Sequence, residues 1–451
     1  MQGRIEHRNL ARARTGAALT LAAALCGATV ILAGGCDTEP KPVPKPDTTT
    51  QIREGEHGLR KLGPNDPKPD LTRAYAQRDP NLNRAVGQSV NWFGTGTSLQ
   101  RYETPGPLNE VATHGQAAAS VVAFQELLAK SPDAKSFQEA VYEQFDIWQT
   151  RGYNEKGTVL FTGYFSPELY ASATRTDRFQ YPLYRAPQDL VRDSYTGEPL
   201  GRRKSDGTID QWPTRKELLD SNAFAGTELV WLESPLDVYI AEVNGSAKLI
   251  FPDNSVKYVG YAGKTGRDYK GLGKSLVEAG IISKDELSLA TIKRLYKKDP
   301  TVVQRYIDDN QNMVFFQYYD GKTWPSGSIG VPVTEHATMA TDKKIFPAGL
   351  VMLVDTQSPN YAGQMEPFNR FMVDQDTGGA IRAAGRGDIY MGVGTGAELL
   401  AGGQVSEGTF YYFTLKPEYV AKYPLPAKSK KSPAAQASNR EPSAPRGSLA
   451  Q

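Results

Sequence analysis

Apolar positions along the chain follow two periodicities, one helical and one typical of strands. Spacings of three and four residues predict helices over residues 116–129 and 134–150. Downstream, short apolar runs separated by Gly, Pro, Asn and Asp are typical of strands. Such runs fall at residues 159–164, 228–232, 238–243, 314–319, 350–354 and 409–415. The pattern therefore predicts a body that is mainly β with some helices.

One further helix and two segments without a core are predicted. Ser283 and Glu286 have the spacing of a capping box, so a helix is expected over residues 284–298. Residues 37–75 are rich in proline and polar side chains, which predicts a semi-extended tether. Residues 421–451 are rich in Ser, Pro, Ala and Lys, which predicts a disordered tail.

The first 36 residues have the layout of a secretory signal. Arginines precede an apolar run over residues 15–32, and small residues at 33–35 lead to Cys36. A cysteine directly after small residues resembles the lipobox of bacterial lipoproteins, so we expect cleavage before Cys36 and lipid attached to it. Cys26 leaves with the signal, and no intramolecular disulfide then remains. We expect a periplasm-facing protein anchored in the outer membrane; an uncleaved transmembrane anchor is the alternative, since the apolar run approaches ~20 residues.

Composition and charge remove several classes of function. The 451 residues carry 52 basic and 50 acidic side chains, a net charge of +2, which gives no reason to expect a nucleic-acid partner. Four scattered histidines do not predict a zinc centre or a serine–histidine relay, so neither metal nor cofactor is expected. The Gly-Lys pairs at residues 263–264 and 273–274 lack the first glycine of a phosphate loop. Carboxylates and aromatic side chains remain, which are the groups that cleave and bind sugars.

Residues 371–394 contain the most informative pair of carboxylates. A β-prone segment ends at Asp376, a glycine-rich turn follows, and Asp388 stands before the next strand-like segment. Glycine permits the backbone angles and close approaches of such a turn, which can bring both carboxyl groups to a cleft. Taken alone, the two aspartates suit a turn and a helix cap at least as well.

Several segments follow one another in a fixed order over roughly residues 80 to 415. They are VLFTGYFSPEL (159–169), RFQYPLYRAP (178–187), EVNGSAKLIFPDNS (242–255), YVGYAGKTGRDYKGLGK (258–274), MVFFQ (313–317), MATDKKIFPAGLVMLVD (339–355), DQDTGGAI (374–381) and GRGDIYMGVG (385–394). Together they resemble the membrane-bound lytic murein transglycosylase A family, and the last three also resemble the domain named for three aspartates, here Asp342, Asp376 and Asp388. Motifs in one order are far more specific than any single short pattern.

The resemblance implies a double-psi β-barrel built from two chain segments, with a smaller β domain inserted between them. We expect residues 76–167 and 319–420 to form the barrel and residues 168–318 to form the inserted domain. The substrate groove is then expected between the two domains, where clefts commonly form.

The resemblance also implies a reaction. In lytic transglycosylases one acid protonates the oxygen between N-acetylmuramic acid and N-acetylglucosamine. The same group then deprotonates the C6 hydroxyl, which closes a 1,6-anhydro ring. Peptidoglycan glycan strands are thus the expected partner. Asp388 matches the family's catalytic acid; Asp376 is expected close by, either raising the proton affinity of Asp388 or bracing the turn, and Asp342 is expected to be structural.

Substrate contacts are expected on both sides of the groove. On the barrel they are Thr162, Gly163, Tyr164, Gly378 and Gly379, with Ala380 as a further backbone donor. On the inserted domain they are Ser246, Tyr261, Ala262, Gly263 and Lys264. Lys264 either contacts a carboxylate of the peptide stem or faces solvent.

Two alternative functions stay open at this point. A true hydrolase on the same barrel needs a second acid, such as Glu168 or Asp374, facing Asp388 across the sugar. A non-catalytic glycan-binding lipoprotein needs none of these carboxylates as an acid.

Overall fold

The structure, a computed structural model, describes residues 48, 52–53, 55–104, 106–193, 197–284, 286–379 and 381–425. The predicted signal with Cys36, Ala380 and most of the predicted tail lie outside these residues. The strands are β1 (Leu59–Lys61), β2 (Phe145–Thr150), β3 (Val159–Ser166), β4 (Glu168–Ser172), β5 (Tyr181–Tyr184), β6 (Leu190–Arg192), β7 (Pro199–Arg203), β8 (Ile209–Asp210), β9 (Glu228–Leu232), β10 (Ser246–Ile250), β11 (Val256–Lys264), β12 (Val314–Tyr319), β13 (Thr338–Ala340), β14 (Val351–Pro359), β15 (Met365–Asp376), β16 (Arg386–Val393) and β17 (Val405–Leu415). The helices are α1 (Thr72–Ala76), α2 (Pro80–Phe93), α3 (Gly96–Glu103), α4 (His114–Lys130), α5 (Ala134–Gln144), α6 (Arg215–Asp220), α7 (Pro235–Asn244), α8 (Leu272–Glu278), α9 (Leu289–Lys298), α10 (Pro300–Ile307), α11 (Gly394–Gly403) and α12 (Pro417–Val420), with a 3₁₀ turn at Pro107–Glu110.

Within the described part of the chain, six strands close into a barrel. β3 pairs with β16, and the ring continues through β13, β15, β14 and β17, which pairs again with β3. β2 and β1 continue the sheet outward from β17. Because β3 precedes the inserted strands and the other barrel strands follow them, the barrel is built from two chain segments. The predicted double-psi architecture with an insertion is confirmed.

The inserted part forms two further sheets. One has the order β12-β11-β10-β4-β9-β5, and all of its strands lie between Glu168 and Tyr319. The other is a small three-stranded sheet, β6-β7-β8. Helices α6 to α10 lie in the same stretch of chain.

Helices α4 and α5 close the barrel core from outside. Phe124 of α4 packs against Phe371 of β15 and Phe413 of β17, with ring centroids 5.0 and 5.7 Å apart. Phe137 of α5 joins the cluster, 5.5 Å from Phe124. All four side chains are at most 2% exposed, and each buried aromatic ring of this kind contributes about 1.5–3 kcal/mol by its removal from water. This packing keeps the barrel strands in a fixed position.

The strand predicted over residues 238–243 is wrong, because this segment belongs to helix α7. Ser234 caps the helix by accepting the amide of Asp237, and Pro235 occupies its first turn. The helix lies between two hydrophobic clusters, with Val238 in one and Ile240 in the other. Burial on several sides produces a continuous apolar run, which by itself does not distinguish a strand from a helix.

The helix predicted over residues 134–150 ends early, at Gln144. The chain continues as strand β2, in which Phe145 and Ile147 are buried. β2 pairs along β17 of the barrel, and this tertiary pairing overrides the helical spacing of the apolar residues.

The helix predicted over residues 284–298 begins later, at Leu289, where Ser288 provides the cap. The predicted pair of Ser283 and Glu286 does form, with the serine hydroxyl donating to the carboxylate at 2.7 Å. It closes a separate turn before the helix.

The tether predicted over residues 37–75 is wrong for its second half. β1 pairs with β2 of the barrel sheet, Leu59 is 3% exposed and Leu71 is fully buried. Prolines are compatible with this path because the segment contributes only a short edge strand and one helical turn. None of the helices in the described ranges is both long and apolar enough to cross a bilayer.

Candidate active site

Asp388 lies on β16, in register with Thr162 of the neighbouring strand β3. Residues in register on adjacent strands project from the same face of a sheet, and the Thr162 hydroxyl donates a hydrogen bond to Asp388 Oδ1. The Asp388 side chain is 17% exposed. The barrel therefore holds one carboxyl group in a fixed position, largely removed from water but still accessible.

Opposing influences set the proton affinity of Asp388. Burial raises the pKa of this carboxyl, and it outweighs the Arg386 cation and the Thr162 hydrogen bond, which lower the pKa. Arg386 Nε lies 3.7 Å from Asp388 Oδ1, and Arg386 Nη2 donates to Thr162 Oγ1 at 3.1 Å. Burial is the main cause of the raised pKa, and the charge of Asp376 is not among its causes, so the electrostatic role expected of Asp376 stays a prediction.

Asp376, at the end of β15, binds three donors. Its Oδ2 accepts the Tyr164 hydroxyl at 2.8 Å, and its Oδ1 accepts the amides of Ser328 at 2.9 Å and Thr377 at 2.8 Å. Burial raises the pKa of Asp376, and these donors oppose that effect. Its position fits the bracing role, since its oxygens connect β3, β15 and the loop before β13.

Asp376 and Asp388 lie on opposite sides of β13. Both pair with Ala340, one from β15 and the other from β16. Two strand spacings put their α-carbons about 10 Å apart. The two aspartates therefore lie in the same region of the barrel, but they are not on neighbouring strands.

Asp342, the third aspartate, ties two loops together. Its Oδ1 accepts the amide of Lys344 at 3.1 Å, and its Oδ2 accepts the amide of Ala383 at 3.0 Å. Asp342 is only 4% exposed. Asp342 thus fixes the loop between β15 and β16, which leads directly into the strand that carries Asp388.

The two candidate second acids are already engaged by lysines. Asp374 is fully buried, forms an ion pair with Lys343, and accepts the Tyr412 hydroxyl at 2.7 Å. Glu168 forms an ion pair with Lys248 on the inserted sheet. The buried Asp374 is therefore not free to act as a second acid, and Glu168 is engaged on the inserted sheet.

A chain of hydroxyl groups connects the barrel to the inserted domain. The rings of Tyr164 and Tyr390 lie 5.1 Å apart. The Tyr390 hydroxyl is 3.0 Å from Ser166 Oγ, which is 2.9 Å from Ser246 Oγ at the start of β10. Ser246 is therefore buried at the junction of the two domains.

Residues 261–264 of the inserted domain extend toward the catalytic end of the junction. This is the end at which β3 carries Thr162 and β16 carries Asp388. Ser246 pairs with Gly260 on β11, which runs antiparallel to β10. β10 in turn runs parallel to β4, the strand that continues the chain beyond β3. From Gly260 onward, β11 therefore returns in the direction of Thr162.

The four predicted residues of this segment have different surroundings. The Ala262 carbonyl accepts a hydrogen bond from the three-stranded sheet, and Gly263, with φ +150°, forms a β-bulge in a conformation that favours glycine. Tyr261 is 38% exposed. Lys264 Nζ lies 3.2 Å from a carboxylate oxygen of Glu198. Tyr261 and Lys264 are thus the members that present polar atoms to a ligand.

The predicted glycines also differ in their surroundings. A Cβ on Gly163 would lie 2.9 Å from Ala401 Cα and 3.0 Å from Gln404 Cβ, so this glycine permits close packing of α11 on β3. Gly378 and Gly379 lie in the turn after Asp376, where Gly379 is exposed. Gly378 and Gly379 therefore lie beside Asp376, whereas Gly163 serves the packing of α11.

Residues that sequence reasoning missed stand next to those that it found. Arg386 and Tyr390 are two residues before and after Asp388 on the same strand, so strand alternation puts all three on one face. That spacing was a usable signal. Glu198 offered none, because its contacts come from residues far away in the chain.

Two family models match the segments that build this site. The "MltA specific insert domain" matches residues 160–317, and the "3D domain" matches residues 337–414. The first covers β3 and the inserted sheets, and the second covers the barrel strands from β13 onward.

Curated relatives extend the match. Membrane-bound lytic murein transglycosylase A of Vibrio cholerae is 32% identical over 278 residues, which cover 59% of this chain and 69% of that protein. The protein of the same name from Escherichia coli K12 is 29% identical over 328 residues, 71% of this chain and 82% of the relative. The chain belongs to the membrane-bound lytic murein transglycosylase A family.

Solved structures share the fold. A membrane-bound lytic murein transglycosylase from Agrobacterium tumefaciens has a TM-score of 0.64 and 24% identity, covering 81% of this chain and 99% of that one. E. coli MltA with bound chitohexaose has a TM-score of 0.61 and 24% identity, covering 83% of this chain and 100% of that one. At this identity the likeness concerns the fold.

Proposed function

We propose that this protein is a lytic transglycosylase that cleaves peptidoglycan between N-acetylmuramic acid and N-acetylglucosamine, with Asp388 as its catalytic acid and base. The observation that carries the proposal is the largely buried Asp388 carboxyl group, whose pKa is raised by burial and which lies next to a hydroxyl donor and a cation. Family membership and the chitohexaose bound to the E. coli neighbour support a glycan substrate.

In the first step Asp388 acts as an acid. Its raised pKa favours the protonated form, which gives its proton to the bridging oxygen as the bond from that oxygen to C1 breaks. The N-acetylglucosamine side leaves with a free hydroxyl. The carboxylate that remains is stabilised by Thr162 and by Arg386, whose Nε has no hydrogen-bond partner among the described residues.

In the second step the Asp388 carboxylate acts as a base. It takes the proton of the C6 hydroxyl while O6 forms a bond to C1, which gives the 1,6-anhydro ring and restores the acid. Atoms and charges balance without water or a cofactor. Asp376 acts as a positioning residue by holding the Tyr164 hydroxyl at 2.8 Å.

Hydrolysis is the less favoured alternative. It needs a second carboxyl group at about 5–9.5 Å from the first, on the other side of the sugar. Asp374 is fully buried in an ion pair with Lys343, Glu168 pairs with Lys248, and Asp376 already binds three donors.

We also propose a membrane-anchored location on the basis of the Cys36 motif and the relatives' names. Lipid on Cys36 would attach the chain to the outer membrane, with its groove facing the cell wall. Labelling with a radioactive fatty acid tests this: Cys36→Ala should remove the label, and a label that persists would contradict it.

The experiment that tests the reaction is mass spectrometry of soluble products after sacculi are incubated with protein lacking residues 1–36. Muropeptides ending in 1,6-anhydromuramic acid are expected, and Asp388→Asn should reduce their release about 10²- to 10⁴-fold while binding to sacculi persists. Reducing-end products would mean hydrolysis. Folded protein that releases nothing, with binding equal to that of the variant, would mean a glycan-binding protein.

A further inference from the structure

The carboxylate of Glu198 is held between cations of both domains. Its Oε2 lies 3.2 Å from Lys264 Nζ at the end of β11, and its Oε1 lies 3.6 Å from Arg382 Nη2 in the loop before β16. The side chains of Lys264 and Arg382 are 22% and 34% exposed, and that of Glu198 is 36% exposed. The group is thus half-open to solvent and can exchange its partners.

A third cation stands beside this pair. Asp342 binds the amides of Lys344 and Ala383, which brings Lys344 close to Arg382, the residue before Ala383. Burial raises the pKa of Glu198, but Lys264, Arg382 and Lys344 together outweigh burial and lower that pKa. The Glu198 carboxylate is therefore shared by three cations, whose total positive charge exceeds its negative charge.

This cluster lies at the catalytic end of the junction. Arg382 belongs to the loop that connects Asp376 with the strand of Asp388. Lys264 ends the β11 segment that returns in the direction of Thr162. Lys264 and Arg382 thus lie on the two chain segments that flank the proposed groove at this end.

We propose that Lys264, Arg382 and Lys344 form a site for the carboxylates of muramic acid substituents, and that Glu198 occupies this site until substrate replaces it. The inference rests on the proposed function. The repeating amino sugars of peptidoglycan are uncharged, whereas the lactyl group and the peptide stem carry carboxylates. A substrate carboxylate that displaces Glu198 keeps Lys264 and Arg382 paired, and the released Glu198 carboxylate, already 36% exposed, is solvated by water. The cluster thereby distinguishes muramic acid strands from neutral amino-sugar polymers.

The test compares binding of three glycans to the full-length chain carrying Asp388→Asn, which prevents cleavage. Chitohexaose has no carboxylate, strands stripped of peptide by an amidase have lactyl carboxylates, and intact strands have stem carboxylates. Lys264→Met and Arg382→Met should each weaken binding of at least one acidic strand about fivefold and leave chitohexaose binding unchanged. Glu198→Gln should strengthen binding of the same strand.

Lys274→Met is the matched control, because Lys274 is 74% exposed and lies 3.7 Å from Glu278 within its own helix. It should change none of the three affinities. Loss confined to stripped strands assigns the site to the lactyl group, and loss confined to intact strands assigns it to the stem. Equal loss for all three glycans, or no loss in either cation variant with an unchanged melting temperature, overturns the proposal. Release of anhydro products by the chain with Asp388 intact tests the proposed function separately.

Discussion

At the scale of single residues, the proposed mechanism requires Asp388 to act first as an acid and then as a base, and its neighbours suit both states. Burial favours the protonated form that donates to the leaving oxygen. Arg386 and Thr162 favour the carboxylate that must accept the next proton. A carboxyl group with a very high or a very low pKa would perform only one of the two steps well, since proton transfer is efficient when the pKa lies near the working pH.

Because burial and Arg386 have opposite effects on the pKa of Asp388, Arg386→Met should change the pH dependence of activity. The Arg386 cation stabilises the carboxylate, so its removal raises the pKa of Asp388 further. Because the reacting form is protonated, the alkaline limb of the kcat/KM profile should move to higher pH, by about one unit. Initial rates of anhydro-product release from pH 4 to pH 9 measure this. Arg386→Lys, which keeps the charge, should move the limb less, and a limb that moves to lower pH would contradict the assignment.

A second prediction separates the two roles considered for Asp376. If Asp376 braces the site, Asp376→Asn loses the charge-assisted bond to Tyr164 and lowers kcat about tenfold. The alkaline limb should stay in place, because burial and not Asp376 raises the pKa of Asp388. The same pH series decides between the roles: a limb displaced to lower pH would restore the electrostatic role. Tyr164→Phe should reproduce the loss in kcat.

At the scale of elements, the pattern of apolar residues correctly predicted those elements whose conformation depends mainly on the local sequence. The strands at residues 228–232 and 314–319 were predicted at the bounds that the structure has. β2 and α7 were not, because pairing with β17 and burial between two clusters decide their conformations. In the site, Asp388 and its strand could be predicted from a sequence motif. Glu198 could not, because it meets Lys264 and Arg382 only through the packing of two domains.

The packing of α11 on β3 gives a prediction at this scale. A methyl group on Gly163 would collide with backbone and side-chain atoms of α11, so Gly163→Ala should destabilise the protein by about 1–3 kcal/mol. Gly402→Ala, within α11, meets nothing within 4 Å and should stabilise it by about 0.5–1 kcal/mol. Urea unfolding compares the two. Equal effects would show that α11 does not pack as closely as described.

At the scale of the whole molecule, two of the contacts between the domains differ in their exposure to solvent. One is the buried pair of Ser166 and Ser246, and the other is the exposed bridge from Glu198 to Arg382. The buried pair is protected from water and fixes the junction, whereas the exposed bridge is screened by salt. The proposed groove thus has a contact protected from water at the serines and a salt-sensitive contact near the turn that leads to Asp388.

The last prediction concerns the N-terminal boundary of the folded body. A chain that begins at residue 76, where composition places the end of a tether, lacks Leu59 and Leu71, which are buried in the folded protein. Each contributes about 2 kcal/mol by burial, and the edge strand β1 is lost as well. This chain should therefore unfold at a clearly lower temperature than one that begins at residue 46, and should release fewer anhydro products at 37 °C. Because the missing strand pairs with β2, which pairs with β17 of the barrel ring, its loss loosens the wall that supports β3 and Thr162. Identical melting temperatures for the two chains would mean that residues 55–75 are a tether after all.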